Sequence, residues 1–126
     1  MVINDPVVVA ELADLYPRYE AALVSNDAPT LIAMFWNSRH ALRFGVAENL
    51  HGFEEISAFR KGRSSANLAR TINRLDIVTF DRDFASVTVE FTRHLEERTV
   101  HGRQSQVWVR FTDGWRIVSA HVSIRS

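Results

Sequence analysis

The sequence predicts an α+β domain, with N-terminal helices packed on one face of a curved antiparallel sheet. Three observations carry that prediction. Apolar residues recur at spacings of three and four before residue 62, the period becomes two from Asn67 onward, and Asp113-Gly114 separates the last two alternating runs. Helices followed by a meander leave the helices to cover one sheet face, and strands about twelve residues long must twist and coil into a cone with a pocket at its open end. At 126 residues the chain reads as a single domain, 1–126, long enough to bury roughly two-thirds of its unfolded surface.

The elements follow in order. Asp5-Pro6 reads as a helix cap followed by proline at the first helical position, and Val8, Leu12, Leu15, Tyr19 and Ala22 form the apolar stripe of a helix ending near Ser25. Pro17 removes one backbone hydrogen bond from this helix, predicting a kink. Asn26-Asp27 caps a short second helix from Ala28 to Phe35. Ala41 to Gly45 and Asn49 to His51 read as short strands. A third helix, Phe53 to Lys61, groups Phe53, Ile56 and Phe59, carries Glu54 and Glu55 at its positive end and Arg60 and Lys61 at its negative end, and stops at Gly62. Four long strands follow: Leu68 to Phe80, Phe84 to Leu95, Thr99 to Phe111 and Trp115 to Ile124. Asp113-Gly114 is a strong hairpin signal because glycine supplies positive φ without steric cost. A bulge in any of these strands reverses the alternation beyond it.

Composition narrows the function. The 15 basic and 15 acidic side chains balance, and no long run of like charge gives the footprint of a nucleic-acid binder. There are no cysteines, hence no disulfide framework or thiolate chemistry. The N-terminal segment lacks a signal-peptide pattern and no apolar run approaches the ~18 residues of a membrane span, so a cytoplasmic protein with neither membrane nor nucleic-acid partner is expected. The five histidines, His40, His51, His94, His101 and His121, have no metal-ligand spacing, and no metal is expected. Lys61 is the one lysine among the basic residues. Arginine suits two-point recognition of carboxylates, although codon usage in a GC-rich genome gives the same bias.

Polar residues within apolar strands mark candidate site positions, since such groups are costly to bury without partners. Gln104 and Gln106 share a face with Trp108, either fixing a small polar ligand or forming a solvated or dimer-contact face. His121, flanked by Ser119 and Ser123 on its face, is either a core histidine or a pocket residue. Tyr19 lies on the inward stripe of the first helix and needs a partner for its hydroxyl. Arg43, on the first short strand, can meet it, and a guanidinium beside a phenol favours proton transfer. Arg60, Arg63 and Arg70 flank the third helix and first long strand. For Arg60 the favoured reading is a solvent or intersubunit ion pair. A homodimer or higher homo-oligomer is expected, with Val87, Val89 and Phe91 or their alternates on the outer sheet face.

The helices followed by a meander ending in Trp108…Asp113-Gly114-Trp115-Arg116-Ile117-Val118…His121-Val122-Ser123 resemble the SnoaL-like, nuclear transport factor 2-like superfamily. More narrowly, Arg18-Tyr19-Glu20-Ala21-Ala22-Leu23, Phe35-Trp36, Leu42-Arg43-Phe44-Gly45-Val46-Ala47-Glu48-Asn49-Leu50-His51-Gly52, Ile56…Phe59-Arg60…Arg63 and Gly102-Arg103-Gln104-Ser105-Gln106-Val107-Trp108 resemble the AtzH-like family over nearly the whole chain. That resemblance implies a cofactor-free amidohydrolase acting on a small carboxylated urea such as 1,3-dicarboxyurea, in cyanuric acid breakdown. It puts the family's tyrosine and arginine on Tyr19 and Arg43. Pro17 departs from the pattern close to the tyrosine. Arg43 is then expected to clamp a carboxylate of a small anionic ligand, and Tyr19 to exchange a proton. Trp36, Glu48, Asn49, Arg63, Arg70, Gln104, Gln106, Trp108, His121 and Ser123 are expected to contact substrate, with Glu48 and Asn49 orienting Arg43. The alternative is a non-catalytic small-molecule-binding or oligomerisation domain. A third reading, proton shuttling as in steroid isomerases, would call on Asp76 or Glu90.

Overall fold

The computed structural model describes residues 1–125. Its elements are α1 (Pro6–Val24), α2 (Ala28–Ala33), β1 (Leu42–Phe44), β2 (Asn49–His51), α3 (Phe53–Gly62), β3 (Thr71–Phe80), β4 (Phe84–His94), β5 (Thr99–Phe111) and β6 (Gly114–Arg125). The strands form one curved six-stranded sheet in the order β2-β1-β6-β5-β4-β3. All neighbours are antiparallel except β1 and β6, which run parallel.

The helix starts follow the sequence. The Asp5 carboxylate accepts from the Val7 amide, and the Asp27 carboxylate accepts from the amide and hydroxyl of Thr30, satisfying amides that lack intrahelical partners. α1 runs through Pro17 as one helix and buries Val8, Leu12, Tyr16, Tyr19, Ala22 and Leu23. Tyr16 replaces Leu15 on the fully buried stripe, and Leu15 packs at its margin. α3 buries Ile56 and Arg60. Arg60 is one full turn from Ile56 and shares its face, so it enters the interior, contrary to the surface ion pair expected of it.

Inner-face residues from the sheet meet these helices. Val87, Val89 and Phe91 are all buried in this core, so of the two faces left open by the sequence it is the alternates that lie outside. Their outward alternates Ser86, Thr88 and Glu90 are polar, so β4 gives no apolar ground for a dimer. Gly102 on β5 pairs with Phe91 on β4, and a Cβ at this glycine would overlap the Phe91 ring. Gly102→Ala should therefore destabilise the fold by about 1–3 kcal/mol through overpacking, measured by urea unfolding.

One irregularity determines which face of β6 is inside. Met34 to Trp36 and then β1 bond to the same edge of β6, through Ile117 and through Ser119 to His121 respectively. Across the sheet, Ile117 pairs with Trp108 and Ser119 with Val107, leaving Val118 as the extra residue. Trp115 and Ile117 point inward before this bulge, Ala120 and Val122 after it. The reversal turns His121 and Ser123 to the outer face. There His121 is exposed beside the Phe44 ring, and the Ser123 hydroxyl accepts from Arg103.

Candidate functional site

A cavity of about 140 Å³ opens between α1, the β1–β2 hairpin, α3 and the inner sheet face. It is lined by four guanidiniums, Arg43, Arg63, Arg70 and Arg93, together with Tyr19, Glu48 and Gln104. Apolar contacts from Leu23, Phe59, Phe91 and Val122 complete its wall. A fifth guanidinium, Arg60, is buried against Tyr19 and donates from Nη2 to its phenolic oxygen at 3.0 Å.

Two carboxylates offset part of this charge. Glu48 accepts from Arg43 at 2.7 Å. The tight turn between β1 and β2, closed by the Gly45 amide donating to the Glu48 carbonyl, brings this about. A side chain at Gly45 would overlap the Glu48 carboxylate, so the bare glycine lets Glu48 fold back onto Arg43. Glu20 holds Arg70 through two contacts of 2.8 Å, from Nε and Nη2. Arg60, Arg63 and Arg93 have no carboxylate partner among the described residues.

Two aromatic rings separate the cations. Arg43, Arg60 and Arg63 place their guanidinium carbons 5.0, 5.9 and 5.6 Å from the centre of Phe59. Arg70 and Arg93 lie 4.3 and 5.8 Å from that of Phe91. A ring face attracts a cation without occupying its N–H donors, so these contacts leave hydrogen-bonding capacity for an anion. Electrostatic strain remains. Burial, followed by repulsion from Arg60, Arg43 and Arg93, pulls Arg63 down from its ordinary value to about 10. Burial also lowers Arg60 and Arg93. For Arg70 burial acts the same way, but the Glu20 hydrogen bonds and charge outweigh it and the net shift is upward.

The two phenols in α1 differ. Their ring centres are 5.8 Å apart. Tyr16 donates to Glu20 at 2.9 Å and accepts from Gln104 at 3.1 Å and Arg70 at 3.4 Å. Burial, with Glu20 beside it, pushes its ionisation far up, so it is a fixed neutral link between α1 and the sheet. Tyr19 accepts from Arg60 and faces the cavity.

Six predicted site residues thus converge: Tyr19, Arg43, Glu48, Arg63, Arg70 and Gln104 line one cavity. The other predicted residues lie elsewhere. Gln106 and Trp108 are core residues joined by an indole N–H donating to the Gln106 oxygen at 2.9 Å. Trp36 stacks on Phe111 at 5.5 Å beside a separate groove. Asn49 is exposed on β2, and the bulge has turned His121 and Ser123 outward. Asp76 and Glu90, required for the proton-shuttle reading, are exposed on β3 and β4. Arg60 and Arg93 were missed as site residues. Arg60 was detectable by its spacing from Ile56, and Arg93 by its place two residues beyond Phe91 on the same face of β4. No group of three or more histidine, aspartate or glutamate side chains among the described residues is arranged to hold a metal ion, and no helix among them is long and apolar enough to cross a membrane.

The AtzH-like family profile matches residues 1–126. A crystal structure from Pectobacterium atrosepticum, a protein of unknown function from the DUF3225 family, is 44% identical with a TM-score of 0.93, covering 98% of this chain and 95% of that one. A cystatin-like fold protein from Burkholderia xenovorans is 40% identical at the same TM-score, covering 100% and 98%. A nuclear transport factor 2-like superfamily protein from Salmonella enterica is 23% identical with a TM-score of 0.75, covering 96% and 93%, and shares the fold. Comparison with curated proteins gives no match.

Proposed function

The chain belongs to the AtzH-like family, and on that premise we propose that it is a cofactor-free hydrolase cleaving a C–N bond in a small carboxylated urea or amide, with 1,3-dicarboxyurea the model substrate. The observation that carries this reading is the enclosed cluster of guanidiniums, outnumbering its carboxylates, around a phenol that faces the cavity. Uncompensated buried charge is costly, and a small carboxylate anion is the partner that offsets it.

Arg43 holds a substrate carboxylate by charge-assisted hydrogen bonds, displacing Glu48. The neighbouring guanidiniums stabilise negative charge that develops on the carbonyl oxygen as water adds to its carbon. When the C–N bond breaks, the nitrogen keeps the electron pair and takes the proton of the Tyr19 hydroxyl. The attacking water supplies the new oxygen to the carbonyl carbon and a proton to the phenolate, restoring the enzyme.

The test follows ammonia and carbon dioxide release from carboxylated ureas, alongside melting in the presence of malonate as an inert dicarboxylate probe. The protein should turn over the urea, and malonate at 100 times its dissociation constant should stabilise it by about 2.7 kcal/mol. Arg43→Met should lose both effects. An unmodified protein that neither releases product nor responds to malonate would overturn the proposal. Stabilisation by malonate without turnover of any carboxylated urea would favour the non-catalytic binding domain instead.

A further inference from the structure

We propose that Arg60 is a positioning residue that aims the Tyr19 hydroxyl hydrogen into the cavity. The inference rests on the reading of Tyr19 as proton donor and adds the group that makes it one. A guanidinium donates hydrogen bonds and accepts none. With Arg60 Nη2 3.0 Å from the phenolic oxygen, Tyr19 is the acceptor in this contact and its own hydrogen points elsewhere. Tyr19 lines the cavity, and that open side is where a ligand atom can receive the hydrogen.

Tyr16 provides the internal comparison. Its hydrogen goes to Glu20 and its oxygen is taken by Gln104 and Arg70, so two phenols on the same helix have opposite capacities. The condition of Arg60 also argues against a purely structural role. It is 1% exposed, and its Nε and Nη1 are buried without partners. Replacing such a cation with an apolar side chain of similar volume is often neutral or stabilising. Arg60 has one side-chain hydrogen-bond partner among the described residues, Tyr19, and its effect falls there: it orients the hydroxyl before proton transfer and faces the phenolate afterwards.

The experiment labels the tyrosine ring carbon bearing oxygen with ¹³C. The chain has two tyrosines, so two resonances result, assigned by Tyr19→Phe. Arg60→Met should move the Tyr19 resonance and leave that of Tyr16 in place. Malonate should shift the Tyr19 resonance in the unmodified protein but not in Arg60→Met, although both bind it. In turnover, Arg60→Met should lower kcat to within about threefold of Tyr19→Phe with KM little changed, and should add almost nothing in the double variant. Arg60→Lys should recover part of the loss and gives a second, charge-retaining variant should Arg60→Met fold poorly. An unmoved Tyr19 resonance, an equal malonate response in both proteins, or multiplicative losses in the double variant would overturn the inference. Absence of turnover in every protein, with the resonance changes as expected, would instead count against the hydrolase reading alone.

Discussion

Tyr19→Phe should reduce turnover of a carboxylated urea by about 10²–10⁴-fold, the range expected on removal of a general acid. The substitution keeps the ring, which is 2% exposed in the core, and deletes the one atom joining it to Arg60. The cavity guanidiniums remain, so malonate should still raise the melting temperature and KM should change much less than kcat. Arg60 would lose its bonded acceptor, and a hydrogen bond to a charged group is worth about 1.5–3 kcal/mol. Steady-state kinetics and urea unfolding on one preparation separate the two effects. A variant that retained full turnover would remove Tyr19 from the chemistry.

Arg70→Met should have the largest effect on stability, a loss of about 3–5 kcal/mol, as when one partner of a buried ion pair is removed. The Arg70 side chain is 1% exposed. It links Glu20 and Tyr16 of α1 to Gln104 of β5 while resting on Phe91 of β4. Truncation leaves the Glu20 carboxylate, 17% exposed, without its counter-charge and breaks the polar connection between helix and sheet. For a chain of this size the melting temperature should fall by roughly 10–20 °C. Adding Glu20→Gln should restore part of the loss by removing the stranded charge, and calorimetry on the two variants measures how much.

The architecture was readable from local signals. The Asp5 and Asp27 caps, the change of period after α3 and the Asp113-Gly114 turn each depend on a few adjacent residues. So was the meeting of Tyr19 and Arg43 at one cavity, because the motifs containing them resemble those of a family. What could not be read depended on contacts between distant segments. His121 and Ser123 point outward because two stretches of chain dock on β6 on either side of Val118, and period counting does not register such docking. Arg60 shows a different difficulty. Its charge at the C-terminal end of α3 suggested a partner for the helix dipole, but the Ile56 face outweighed that placement once α3 packed against α2 and the β1–β2 hairpin.

Glu48 has a consequence for selectivity. Its carboxylate already holds Arg43 at 2.7 Å, so on the proposed reading a guest would reach Arg43 by exchange, and its gain there would be the difference between its own contacts and those it displaces. A compound bringing one negative group does little more than replace the tethered one. On the proposed reading, a compound with charge left over for the uncompensated arginines would gain from them as well, so the hairpin would favour dianions over monoanions.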